Sequence, residues 1–100
     1  MGIWISPRVR QKLLSKHNVS EDEIVQCFQN MEATSKFLTD PREEHQSNLT
    51  TYWFISETNR RRKLKVVFVI RYESGKVITE IKTAFPPCLE EMEIYERKGL

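Results

Sequence analysis

The sequence predicts an α+β fold: an N-terminal helical hairpin packed on a three- or four-stranded antiparallel sheet, with a closing C-terminal helix. Three observations carry that expectation. Residues 6–28 hold two helix-start signatures followed by apolar residues at helical spacing. Residues 51–85 change to the period-two alternation of strands, folded back at Ser74-Gly75. Pro86-Pro87 then stop the last strand before an acidic, amphipathic stretch that Gly99 ends.

The first helix starts where Ser6 can cap it and Pro7 can occupy its first position, at which a missing N–H costs nothing. Val9 and Leu13 form its apolar stripe, Lys12 and Lys16 its wet one, and it ends near His17-Asn18. The second starts at Ser20, where Glu23 completes a capping box and Val19 with Ile24 has hydrophobic-staple spacing. Ile24, Cys27 and Phe28 face inward, and the short His17-Asn18-Val19 turn joins the helices into a hairpin. Ala33 to Leu38 reads as a short edge strand, Thr39-Asp40-Pro41-Arg42 as a turn, and the polar stretch through Asn48 as a loop. Thr51 to Ser56 is a strand rich in aromatic and β-branched residues. In Lys63 to Tyr72, Leu64, Val66, Phe68 and Ile70 share one face, opposite Lys63, Lys65, Val67, Val69 and Arg71. Glu73-Ser74-Gly75-Lys76 turns the chain, Val77 to Phe85 returns antiparallel, and Leu89 to Lys98 forms the last helix. The helices are expected to cover one sheet face and leave the other for a partner.

One hundred residues suit one domain, spanning 1–100. The composition, 39% hydrophobic and 30% charged, excludes a disordered chain, and no apolar run reaches the length of a membrane span. No membrane partner is expected, and without a visible secretory signal a cytoplasmic location is. Cys27 and Cys88 lie far apart and read as small buried hydrophobes, and with the scattered His17 and His45 they make no metal site. No cofactor is implied. The net charge is only +2, but its distribution is uneven. Arg60, Arg61, Arg62, Lys63, Lys65 and Arg71 fall in one segment without an acid, which makes one face or edge locally positive, as a polyanion site requires.

Lys82 and Thr83, at the end of the last strand, form a plausible phosphate-holding pair. Strict alternation puts them on opposite faces unless the strand end twists before Pro86. The hairpin about Ser74-Gly75 brings Lys82 toward Lys65, and clustered cations there attract phosphate and stabilise developing negative charge; the same lysines also serve simply to keep a sheet edge soluble. His17 suits a helix C-terminus, whereas His45, in a loop beside Asp40, Arg42, Glu43 and Glu44, is either a general acid or base or an ordinary surface residue. Tyr52 and Trp53 alternate, so one faces the core and the other the open face, where an aromatic beside basic groups can stack a base.

Several stretches together resemble the BrnT-like branch of the RelE-type ribonuclease toxins of bacterial toxin–antitoxin systems. More broadly they resemble the small ribonuclease fold of the barnase, EndoU, colicin and RelE group. They are Lys16-His17-Asn18-Val19-Ser20, Asp40-Pro41-Arg42-Glu43-Glu44-His45, Tyr52-Trp53-Phe54, Arg61-Arg62-Lys63-Leu64-Lys65-Val66-Val67 and Lys82-Thr83-Ala84-Phe85-Pro86. The resemblance implies a metal-independent endoribonuclease toxin, bacterial or phage-encoded, that cuts RNA by attack of the ribose 2′-OH on the adjacent phosphate. The resemblance also implies neutralisation by a cognate antitoxin or immunity protein. By resemblance, His45 is base or acid, Lys82 and Lys65 clamp phosphate, Thr83 orients, and Arg42 or Arg61 supports the transition state. Arg71, Trp53 and Phe85 join Lys65 and Arg61 in the substrate-binding surface. Phe85 stands where related toxins carry a tyrosine, so a phenolic hydroxyl is missing. A non-catalytic RNA- or protein-binding relative, and a toxin directed at a protein target, are the other expectations the pattern raises.

Overall fold

The computed structural model describes residues 2–31, 38–39 and 51–98. Strand β1 (Gly2–Trp4) leads into α1 (Pro7–Lys12), whose last turn widens into a π-helical one (Leu13–His17), and then into α2 (Glu21–Asn30). Strands β2 (Leu38–Thr39), β3 (Thr51–Glu57), β4 (Lys63–Glu73) and β5 (Lys76–Phe85) follow, and α3 (Leu89–Lys98) closes the chain. The described elements make an α+β fold around one five-stranded sheet of order β1-β5-β4-β3-β2.

The local signals act as their chemistry requires. The Ser6 hydroxyl accepts from the Val9 N–H at 3.2 Å with Pro7 at the first helical position. At α2 the capping box is complete, the Glu23 N–H donating to Ser20 Oγ at 3.2 Å and the Ser20 N–H to Glu23 Oε1 at 3.1 Å. The π turn ends on Asn18, which takes a left-handed conformation (φ 51°) and lets the Val19 N–H donate to the Leu13 carbonyl at 3.0 Å. Ser74 (φ 51°) and Gly75 (φ 78°) are both left-handed, the backbone of the two-residue turn joining β4 to β5.

The expected sheet is corrected in strand number, five in place of three or four, and in direction. The sheet is mixed rather than antiparallel throughout, because β1 pairs parallel with β5, Trp4 lying opposite Glu80. Those three residues occupy an edge whose backbone groups would otherwise be unpaired, and a segment so short carries no periodicity to announce it. Both helices pack on the sheet, α2 on β3 and α1 with its π turn on β5, so the sheet rather than the other helix is the main partner of each. Between them Arg10 and Glu21, both half exposed, pair at 3.2 Å.

Helices α1 and α2 cover the face of Phe54, Leu64, Val66, Phe68, Ile81 and Ala84, against which Leu13, Val19, Ile24 and Cys27 are buried. Phe28 sits edge-on to both Phe54 and Phe68, with ring centroids 4.7 and 5.6 Å away. The opposite face, expected to stay open for a partner, is instead covered in part by α3, with Tyr95 against Trp53 at 5.8 Å and Glu91 on Lys65. No helix among the described residues is long and apolar enough to cross a membrane.

Candidate nucleic-acid interface

The β3–β4 turn decides which basic side chains stay available. Thr58 is buried, and its hydroxyl accepts the N–H groups of Arg60 at 3.3 Å and Arg62 at 3.2 Å. Backbone bonds from Thr58 N to Arg62 O and from Arg61 N to Thr58 O, both 2.9 Å, close the turn and hold Arg61 left-handed at φ 63°. The turn is tied to α2, since the Asn59 N–H donates to Gln26 Oε1 at 3.0 Å and Asn30 Nδ2 donates to Glu57 O at 2.9 Å and Asn59 Oδ1 at 3.0 Å.

Arg62 points inward from this turn. Its guanidinium donates to the carbonyls of His17 at 2.8 Å and Asn18 at 2.7 Å, and to Glu23 Oε2 at 3.0 Å. One cation thereby satisfies the C-terminal carbonyls of the first helix and the capping carboxylate of the second. Burial opposes the charge of Glu23, but the Ser20 N–H and Arg62 outweigh it, and its carboxyl lies below the ordinary range. Arg60, Arg61 and Lys63 are left pointing to solvent, exposed and without a carboxylate partner among the described residues. A polar groove of about 530 Å³ runs beside them, lined by Arg60, Arg62, Gln26 and Asp22 among others.

Lys65 has a different environment. It is 9% exposed, donates to Glu91 Oε2 at 2.5 Å, and stands 4.6 Å over the Trp53 ring and 5.6 Å over the Phe85 ring. The Cys88 N–H donates to the other Glu91 oxygen at 3.1 Å, half of a capping box at the start of α3. Burial works against the Glu91 charge, yet Lys65 and the Cys88 N–H hold its carboxyl below the usual value. A phosphate reaching Lys65 has to displace Glu91.

At the end of β5 the register slips. Val67 faces Thr83 but Phe68 faces Ile81, so Lys82 is the extra residue of a β-bulge. The slip moves Thr83 onto the face of Lys65, Val67 and Phe85, the twist on which its role depended. Lys82 is half exposed and pairs with Glu80 Oε2 at 2.9 Å, while Arg71 donates to Glu80 Oε1 at 3.2 Å and to Glu73 at 3.3 Å. Phe85 is half-buried, with the His17 ring tilted against it at 5.7 Å.

The expected site residues therefore separate into groups. Lys65, Trp53 and Phe85 form one cluster under α3, Thr83 lies on the same face, and Lys82 and Arg71 share Glu80 farther along it. Arg61 is on the β3–β4 turn, at the other end of that strand from Arg71. Trp53 is 8% exposed and belongs to the core, and half-buried Tyr52 stacks on Phe68 on the opposite face. His45 and Arg42 lie outside the described residues. Cys27 is buried as expected, its thiol pushed up to about 12 by burial and then by Glu23, but Cys88 is exposed, because it caps α3 rather than packing. Sequence reasoning missed Arg62, Glu91 and Trp4. A carboxylate three residues into a helix that follows two prolines was the available signal for Glu91, whereas Arg62 has only long-range partners. Among the described residues no three histidine, cysteine or acidic side chains gather to hold a metal ion. No protein-family model matches the chain, and no curated protein matches it in sequence.

Proposed function

We propose that this chain is an RNA-binding domain acting as a metal-independent endoribonuclease of the toxin kind. One observation carries the reading: Arg60 and Arg61, on a turn that Thr58 and α2 hold rigid, and Lys63, at the start of β4, are exposed and have no carboxylate partner among the described residues, whereas Arg62, Lys65, Arg71 and Lys82 are each paired with carboxylates. Free cations on a fixed backbone suit a phosphate chain, since the ordering cost of the turn itself is met before RNA arrives. In this reading Lys82 exchanges Glu80 for the scissile phosphate, Thr83 orients it, and His45 with Arg42 supplies proton transfer and charge stabilisation for 2′-OH attack. A cognate antitoxin or immunity protein would cover the same basic turn.

Phe85 favours a second reading, a binder that does not cut. Its ring serves as packing between Lys65 and His17, and it has no hydroxyl to offer a phosphate. Incubation with single-stranded RNA in EDTA separates the two. The nuclease reading expects 2′,3′-cyclic phosphate ends from the wild type and none from His45→Ala or Lys82→Ala, with RNA still bound by both variants. Intact RNA that is nevertheless bound in a salt-dependent way leaves the binder; absence of binding at low salt overturns both.

A further inference from the structure

The face that α3 partly covers continues along β4 and β5 to an exposed aromatic that sequence reasoning left unused. Trp4 is 44% exposed and lies opposite Glu80 in the sheet. The Arg71 guanidinium stands 5.5 Å from its ring centroid, held there by its ion pairs to Glu73 and Glu80. Beside them runs a groove of about 440 Å³, lined by Gly2, Ile3, Trp4, Arg71, Glu73 and Ile78. At Gly2 even an added methyl group would meet nothing within 4 Å. Arg71 Nε is buried and has no acceptor among the described residues, although both terminal nitrogens are used.

Resting on the RNA-binding reading above, we propose that this groove takes one unpaired base of a single-stranded RNA, stacked on Trp4. Its charge points to a base rather than to a second phosphate. Glu73 and Glu80 balance Arg71 and Lys82, so the patch carries no net charge to attract an anion, while a neutral planar group loses nothing there. Stacking needs a half-exposed ring that is already fixed, which the Arg71 cation–π contact provides. The carboxylates of Glu73 and Glu80 beside the groove accept from the amino or imino groups of a base. Lys82, bound to the other side of Glu80, stands where the neighbouring phosphate would pass. The aromatic role given to Trp53 thus passes to Trp4 on the same face, because α3 buries Trp53.

The experiment compares a short single-stranded RNA with an abasic strand of the same length, on wild type, Trp4→Ala and Trp4→Phe. Buried Trp53 supplies a constant fluorescence background, so quenching reports Trp4. RNA is expected to quench it and the abasic strand not. Trp4→Ala should weaken RNA binding about tenfold, the usual scale for loss of one stacking ring, and leave abasic binding unchanged, while Trp4→Phe restores most of the affinity. Equal losses on both strands, or no quenching and no loss, overturn the base site. If Arg60→Ala with Arg61→Ala weakens both strands while Trp4 stays silent, the base site alone falls; if the wild type binds neither strand, the RNA-binding reading falls with it.

Discussion

Arg62 illustrates how much one side chain can hold when its partners come from the end of one helix and the start of the next. It donates to two helix-terminal carbonyls and to the capping carboxylate Glu23, all within 2.7–3.3 Å. Arg62→Ala leaves these acceptors to partial hydration and removes the link between the β3–β4 turn and the helices. A loss of roughly 2–3 kcal/mol in chemical denaturation is expected, the scale of charged hydrogen bonds lost with their acceptors left half-buried. Arg62→Lys should recover only part, because an ammonium cannot fork between Glu23 and the carbonyls. An unchanged midpoint would mean that the fork contributes nothing. At this scale the sequence was readable wherever a residue acts on its near neighbours: Ser6, Ser20, Glu23 and Ser74-Gly75 all perform the local roles their types imply. Arg62 was not readable, since in sequence it is one basic residue in a run of four and only the packing singles it out.

Among the elements, β4, β5 and α3 were the most legible, because their alternation or charge pattern runs for ten residues or more between clear stops. The short β1 and the bulge at Lys82 were not, since both are settled by pairing across the sheet rather than by propensity. The position of α3 was hidden for a similar reason. Its apolar residues announce a packed helix without saying which sheet face receives it, and the anchors are the pairs Tyr95–Trp53 and Glu91–Lys65. Because Glu91 titrates below its ordinary value of 4.5 when folded, its contribution is complete above that value and is lost as pH falls through the lower folded one. Glu23 works in the same direction. Glu91→Gln is therefore expected to cost about 2 kcal/mol at neutral pH. The wild type should lose stability on acidification below pH 4.5, and the variant should lose less, so the two curves converge. Parallel curves in denaturant titrations across pH 3–7 would remove Glu91 as the anchor.

For the molecule as a whole, a net charge of +2 conceals a division of labour among its cations. The sequence placed six basic residues between Arg60 and Arg71, but not which of them the fold would neutralise. Three of the six, Arg62, Lys65 and Arg71, are spent on carboxylates that come from α2, α3 and the sheet. Pairing of this kind is a property of the assembled fold, so composition overstates the free charge of the segment and misplaces it toward the strand. The remaining charge is on the turn and on Lys63, the first residue of β4. This difference predicts how RNA binding responds to salt. Each phosphate contact to a single strand contributes about 0.7 to the slope of log affinity against log salt concentration. Replacing Arg60, Arg61 and Lys63 together by alanine should reduce that slope by about 2, since three free cations then release no counterions. Replacing Lys65 by methionine should leave the slope unchanged, because its charge is already matched by Glu91. Affinities measured by anisotropy between 50 and 300 mM salt decide the matter. A larger change of slope for Lys65→Met than for the turn variant would mean that α3 lifts away and the sheet face, not the turn, meets the phosphates.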